Sequence, residues 1–285
     1  MIDVPRFPVS EFSTLNRSYD EDLAAFAAGG AEGIGIAEVK LPAADDAESL
    51  RKLRASGLKA TICLPATLSI LPNALGPEPA EPEARVQSLA GSVRRLARFE
   101  PEVVLFLTGA AGERDAGEAR RLVVEGVREL GRVGREVGVT VAVEPIHRSA
   151  EDQFTIVTDL PATEALLAEA GDPSIGIIFD TWHLWDTPDV LEHVRRLADR
   201  FPAVHVNDHR AQTRNWDDRA LPGDGVIDLP AILGALEAGG YDGWYELEVL
   251  SSEIYPDSLL ALDPAELVRR GRTGFVRAWE ARTRY

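Results

Sequence analysis

Four short segments in the second half of the chain end in side chains able to bind a cation or move a proton. They are VAVEPIH with Glu144 and His147, IIFDTWH with Asp180 and His183, AVHVND with His205, Asn207 and Asp208, and GWYELEVL with Glu246 and Glu248. In each, the acid or imidazole follows apolar residues that belong in a core, where an unpaired carboxylate is costly. A divalent cation shared among several of them would remove that cost. Taken singly, each has a plainer reading: an aspartate such as Asp180 or Asp208 at a strand end commonly caps the next turn. That reading does not explain why successive segments bring Glu, Asp, His and Glu to one place. His193, inside LEHVRRL, reads as a helix-surface or packing residue, and His209 fits either role.

Short β-branched runs alternate with stretches of helical period along the whole chain. The expected strands are Phe7–Phe12, Gly33–Glu38, Lys59–Leu64, Val103–Thr108, Thr140–Pro145, Ile175–Asp180, Ala203–Asp208 and Trp244–Leu250. The expected helices are Tyr19–Ala28, Asp45–Ser56, Glu83–Phe99, Ala116–Val137, Pro161–Ala170, Asp189–Arg200, Leu229–Ala238 and Pro264–Arg282. Within Ala119–Val137, Leu122, Val123, Val127, Leu130 and Val133 follow helical spacing, with Arg120, Arg121, Arg128 and Arg132 on the other face. Eight strand–helix units, with strands apolar on both faces, predict an α/β fold: a closed (β/α)8 TIM barrel, as one domain over residues 1–285. No Gly-x-Gly-x-x-Gly follows the first strand, which weighs against an open dinucleotide-binding sheet. In such a barrel the carboxyl ends of the strands share one mouth, so the acids and histidines above converge there. The Pro-rich stretch Pro72–Pro82 reads as a long loop on the same face.

The composition narrows the partners. The 285 residues carry 45% hydrophobic and 27% charged side chains, an ordinary globular balance. A net charge of −17 repels a phosphate backbone and an anionic bilayer, so neither nucleic acid nor membrane is expected as a partner. The start, MIDVPRFPVSEF, lacks the basic and long apolar parts of a signal peptide, and runs such as Val103–Leu107 are too short to span a bilayer. A cytoplasmic protein is the expectation. The single cysteine, Cys63, lies in an apolar run and reads as a packed hydrophobe.

The motifs VEPIH (Val143–His147), FDTWH (Phe179–His183), VHVND (Val204–Asp208), LPGDGVID (Leu221–Asp228) and GYDGWYELEVL (Gly240–Leu250) carry a resemblance. Together they resemble the xylose isomerase-like TIM barrel superfamily of sugar and sugar-phosphate isomerases and epimerases. The first half of the chain is similar only in its strand–helix rhythm. The resemblance implies that Glu144, Asp180, His205 and Glu248 bind one divalent metal ion, with His183 and Arg219 on the substrate's oxygens. Glu246 and Glu248 share strand parity and both face inward. The family spacing from the aromatic of GYDGW selects Glu248 as ligand and leaves Glu246 one layer deeper. Trp182 and Trp216, flanking the mouth, suit an apolar wall for a sugar, and His147 completes the expected substrate-binding set. Trp185 reads as packing, and Trp244 and Trp279 as structural. Relatives pair through surface helices, so the resemblance also implies a homodimer.

Three carboxylates and an imidazole suit Mn²⁺ or Mg²⁺, with Co²⁺ or Zn²⁺ also compatible. A cation there would polarise the carbonyl of a chelating hydroxy-ketone and acidify the neighbouring C–H. Glu144 and Glu248 are the expected catalytic pair, since in the epimerase relatives two such glutamates are both ligands and acid–base groups. The expected function is therefore a divalent-metal-dependent keto-sugar isomerase or epimerase acting by proton transfer through an enediolate. The alternative is a metal-dependent dehydratase of a cyclic or polyol-derived ketone, like inosose or 3-dehydroshikimate dehydratase, with His147 or His183 as acid. An endonuclease IV-like hydrolase needs more histidines than the five present, and the segments CLPAT and FLTGA supply none. A barrel that binds sugar without turnover would show its strand-end acids satisfied by Arg and Lys. The Gly223–Gly225 turn offers amides for a phosphate, but Asp208, Asp217, Asp218 and Asp224 crowd this loop, favouring an unphosphorylated substrate.

Overall fold

The computed structural model describes residues 4–43 and 45–282. The strands are β1 (Val9–Ser10), β2 (Gly33–Gly35), β3 (Lys59–Ala60), β4 (Ile62–Cys63), β5 (Val103–Phe106) and β6 (Val141–Val143). They continue with β7 (Gly176–Ile177), β8 (Phe179–Asp180), β9 (Ala203–Val206), β10 (Asp208–His209), β11 (Arg219–Ala220) and β12 (Trp244–Leu247). Two parallel sheets result, in the orders β3-β2-β1-β12-β9-β8 and β4-β5-β6-β7. Each break falls inside one stave. β3 and β4 are separated by Thr61, whose N–H donates to Ile34 O at 3.0 Å and whose carbonyl accepts from Val103 N at 3.2 Å. β7 and β8 are separated by Ile178, whose N–H donates to Val143 O at 2.9 Å. With β12 pairing β1 in parallel (Val9 opposite Leu247), eight staves close into the expected barrel.

Alternation along each stave divides the core in two. Ile62, Val103, Leu105, Ala142, Ile178 and Ala203 point inward and pack together, while Val104, Phe106, Val141 and Val143 pack outward among the helices. The helices follow the expected segments closely, because their signals are local. Asp45, Asp115, Asp159, Asp228 and Asp263 each accept a backbone N–H as N-caps, and Ser18 with Glu21 forms a capping box. In helix Ala116–Val137, Val123, Val127, Leu130 and Val133 are buried and Arg121, Arg128 and Arg132 exposed. Two predicted helices end in a tighter 3-10 turn, at Ala97–Phe99 and Ala198–Arg200. Cys63 is buried, as its apolar neighbours imply, and burial pushes its thiol pKa up. Among the described residues, no helix is long and apolar enough to cross a membrane.

The staves are shorter than expected at the end that matters. Glu144 and Glu248 lie one residue beyond β6 and β12, yet their N–H groups continue the ladder to Phe106 O at 3.1 Å and Val206 O at 3.3 Å. They therefore remain backbone-anchored where the side chains leave the core. The chain after β9 does not run straight on as predicted: β10 and β11 form an antiparallel hairpin, pairing Asp208 with Ala220 and His209 with Arg219.

Candidate metal centre

Glu144, Asp180, His205 and Glu248 converge at the carboxyl ends of staves five to eight, each offering one ligand atom within 4.8 Å of the others. All four are buried. His205 Nδ1 lies 2.8 Å from Glu144 Oε1, 3.6 Å from Glu248 Oε2 and 3.8 Å from Asp180 Oδ2. Neighbouring staves hold the carboxylates in place. Asn207 Nδ2 donates to both Asp180 oxygens, at 3.1 and 3.2 Å, and to the Glu248 carbonyl at 3.0 Å. Ser10 Oγ, on the first stave, donates to Glu248 Oε1 at 3.2 Å. Sequence reasoning placed Asn207 at a strand end without a role and missed Ser10, since a serine after one valine carries no signal of its own.

Glu246 sits one layer below, as its parity predicts. Its Oε1 is 3.5 Å from His205 Nε2, the ring nitrogen facing away from the cluster. Its Oε2 accepts from Thr61 Oγ1 in a short contact and from Ile62 N at 3.3 Å. A carboxylate behind a metal-facing imidazole fixes the ring's orientation and tautomer. Space for it comes from Gly35 on β2, where a Cβ would land on the Glu246 carboxylate. Gly35→Ala is therefore expected to cost roughly 1–3 kcal/mol of stability by overpacking. A lowered midpoint of urea unfolding checks this, and an unchanged midpoint would show that Glu246 has room to yield.

The charge balance of the cluster asks for more cation than the protein supplies. Burial pushes the Glu144 carboxyl up to about 7, and the nearby Glu248 and Asp180 act in the same direction. Burial would raise Asp180 most, but the Arg219 guanidinium, the His183 and His205 rings and the Asn207 hydrogen bond together outweigh it and hold that carboxyl down at about 2. Burial opposes a charge on His205, yet the Glu248, Glu144 and Glu246 carboxylates raise its pKa well above the usual range. Two like charges about 4 Å apart repel by about 4 kcal/mol at an effective dielectric near 20. Three carboxylate oxygens and one imidazole nitrogen, mutually within the span of a single ion, fit a divalent cation.

Arg219 also reaches this cluster, from β11. Its Nη1 donates to Asp180 Oδ2 at 2.8 Å and to Glu248 Oε2 at 3.0 Å. This is in part what a non-catalytic barrel would show, with the guanidinium bridging two of the carboxylates and the His205 ring beside the third. Its other side is poorly matched. Burial holds the His183 pKa down at about 3, so the ring is neutral near pH 7 and carries one N–H. His183 Nδ1 lies 3.2 Å from His147 N and its Nε2 2.9 Å from Arg219 Nη2, and a neutral ring can accept from only one of these two donors. One of the two N–H groups therefore lacks the ring as acceptor.

Asp208 fastens the loop that carries Arg219. Its carboxylate accepts from the N–H groups of Gly223, Gly225 and Ile227, each at 3.0 Å, and of His209 at 2.8 Å. A Cβ on Gly225 would collide with that carboxylate. The glycine amides expected as candidates for a phosphate are thereby committed to Asp208.

The remaining expected substrate contacts divide. A small cavity open to solvent lies above the cluster, with Glu144, His183, Arg219, Glu248 and Trp216 in its lining. Trp182 and His147 are not part of that lining. Trp182 is fully buried, stacked edge-on behind His147 and His183, with Arg219 Cζ 5.5 Å from its ring. His147 turns outward to Asp186, 3.3 Å from Nε2, and to Ser149. These two lie behind the lining rather than in it: four residues after a strand, or on the buried side of a helical turn, the chain has already left the mouth. Trp185 packs against His209 as expected.

Residues 23–274 match the xylose isomerase-like TIM barrel family. The chain belongs to this family. Inosose dehydratase from Geobacillus thermodenitrificans (strain NG80-2) is 28% identical over 142 residues, 45% of this chain and 46% of that protein. The chain thus spans about half the length of the curated relatives it matches. Among solved structures, a protein from Sinorhizobium meliloti 1021 superposes with a TM-score of 0.83 at 24% identity, covering 97% of this chain and 98% of its own. The IolI protein with a bound zinc atom gives 0.78 at 17% identity, covering 96% and 97%. An L-ribulose 3-epimerase gives 0.77 at 20% identity, covering 97% and 95%. These family likenesses establish the fold.

Proposed function

We propose that the chain is a divalent-metal-dependent keto-sugar isomerase or epimerase that moves a proton beside a carbonyl, through an enediolate. The observation that carries this reading is that Glu144 and Glu248 face one cavity from staves five and eight, on either side of a single four-ligand cluster. Mn²⁺ or Mg²⁺ at Glu144, Asp180, His205 and Glu248 would polarise a chelating hydroxy-ketone and acidify its α-hydrogen. Glu144 takes that proton on one face and Glu248 returns one on the other. His183 and Arg219, adjacent in the cavity lining, contact the substrate's oxygens. Glu246 keeps the His205 ring square to the cluster, and Trp182 keeps His183 and Arg219 in place.

A second reading has its own support: the inosose dehydratase relative shares half its length with this chain. In that reading the same proton is removed, and the glutamate that took it returns it to a departing β-hydroxyl, which leaves as water, while the neutral His183 ring orients that hydroxyl. One experiment separates the two. The manganese-loaded protein is incubated with ketoses and inososes in D₂O and the products are followed by NMR and ultraviolet absorbance. Deuterium at the α-carbon with no loss of water supports isomerisation, and a new enone band supports dehydration. A protein that neither incorporates deuterium into any hydroxy-ketone nor yields an enone from one overturns both.

A further inference from the structure

The cavity that receives the substrate is unlike a sugar site in one respect. Its polar lining residues, Glu144, His183, Arg219 and Glu248, all belong to the floor at the cluster. The walls above are carbon: Phe12, Leu64, Leu68, Leu107, Phe154 and Trp216 are among them. Phe154 and Trp216 meet edge-to-face with ring centroids 5.0 Å apart, and the leucines continue the apolar packing of the barrel interior. The loop Pro72–Pro82 adds Leu75 at the rim, and it is firmly held. Arg85, fully buried, donates from Nε to Ser69 O at 2.8 Å and from Nη1 to Gly76 O at 2.9 Å and Pro79 O at 3.1 Å.

A polyhydroxylated chain lying in this cavity would meet donors and acceptors at one end only. Each further hydroxyl would lose its water and find carbon, a penalty of roughly tenfold in affinity. An apolar group in the same place gains instead. We infer that the substrate is a hydroxy-ketone whose head reaches the floor and whose remaining part is an apolar body, aryl or alkyl, filling the walls lined by Leu68, Leu107, Phe154 and Trp216. This deepens the proposed function and rests on it for the identity of the head group.

The test compares two open-chain ketones that differ only at C4, L-erythrulose with a hydroxyl and 1,3-dihydroxy-4-phenylbutan-2-one with a phenyl ring. Solvent-deuterium exchange is measured with the manganese-loaded full chain, and binding of each ketone is measured separately by calorimetry. The phenyl ketone is expected to exceed erythrulose by about 30-fold in kcat/KM and in affinity, the effect of burying one phenyl group. Leu107→Asn and Trp216→Ala, on separate parts of the wall, are each expected to shrink that ratio to a few-fold. If both ketones exchange equally, or erythrulose is preferred, the apolar-body inference is overturned while the proton-transfer reading stands. If neither exchanges, the proton-transfer reading fails, and the binding ratio alone decides the apolar one: 30-fold supports it and parity overturns it.

Discussion

Exchange of the substrate's α-hydrogen with solvent is expected to fall by about 10³-fold or more in both Glu144→Gln and Glu248→Gln. Glutamine keeps the shape and one ligating oxygen of glutamate but cannot accept a proton at physiological pH. The two losses should be of similar size if each glutamate serves one face of the substrate. Measured at saturating Mn²⁺, with bound metal quantified in the same samples, the loss reports proton transfer rather than an empty centre. Glu246→Gln gives the contrast. It touches no cavity atom, and its carboxamide can still accept from Thr61 Oγ1, so exchange should fall far less than in the other two variants. Wild-type-like exchange in both Glu144→Gln and Glu248→Gln would sink the mechanism.

The second large effect is thermal. A ligand that binds only the folded state at 1,000 times its Kd adds about 4 kcal/mol of stability. For a chain of this size that corresponds to roughly 7 °C in Tm. Addition of Mn²⁺ is expected to raise Tm by that amount, with Mg²⁺, Co²⁺ and Zn²⁺ ranked beside it. The rise should vanish in Asp180→Ala and His205→Ala, each of which removes one ligand. Because Arg219 already bridges Asp180 and Glu248, its displacement offsets part of the cation's affinity. Arg219→Gln should therefore bind the ion more tightly while its KM for any ketone substrate rises. A Tm unmoved by every ion, in wild type and Arg219→Gln alike, would favour a barrel whose acids are held by arginine alone.

The barrel could be read from the chain because its signals repeat. Eight apolar runs with helical stretches between them each state the same rule, and errors at single boundaries do not alter the sum. The four clustered side chains were readable for a related reason: a charged residue at the end of a buried run has few plain explanations. What resisted reading was set by the closure of the barrel. Ser10 meets Glu248 across 238 positions, and Thr61 meets Glu246 across 185. No local pattern predicts such pairs. The hairpin of β10 and β11 was also missed, because Arg219–Ala220 has no β-branched run and owes its pairing to Asp208 gathering the glycine amides. Trp182 and His147 were placed in the mouth by proximity in sequence, whereas a single helical turn, Thr181–Leu184, rotates the indole away from the cavity. The apolar wall was invisible for a simpler reason. Its leucines and phenylalanines come from separate staves and loops, and each one alone looks like core.

The buried acid under His205 ties three distant stretches of chain into one unit of inheritance. A side chain larger than hydrogen at position 35 is compatible with the imidazole's seat only if residue 246 shortens or retreats, and Thr61 then loses its acceptor. Among homologous chains, these three positions should therefore change together or not at all. A lineage drifting toward a different ion would have to rebuild the floor of its barrel before it could alter the rim.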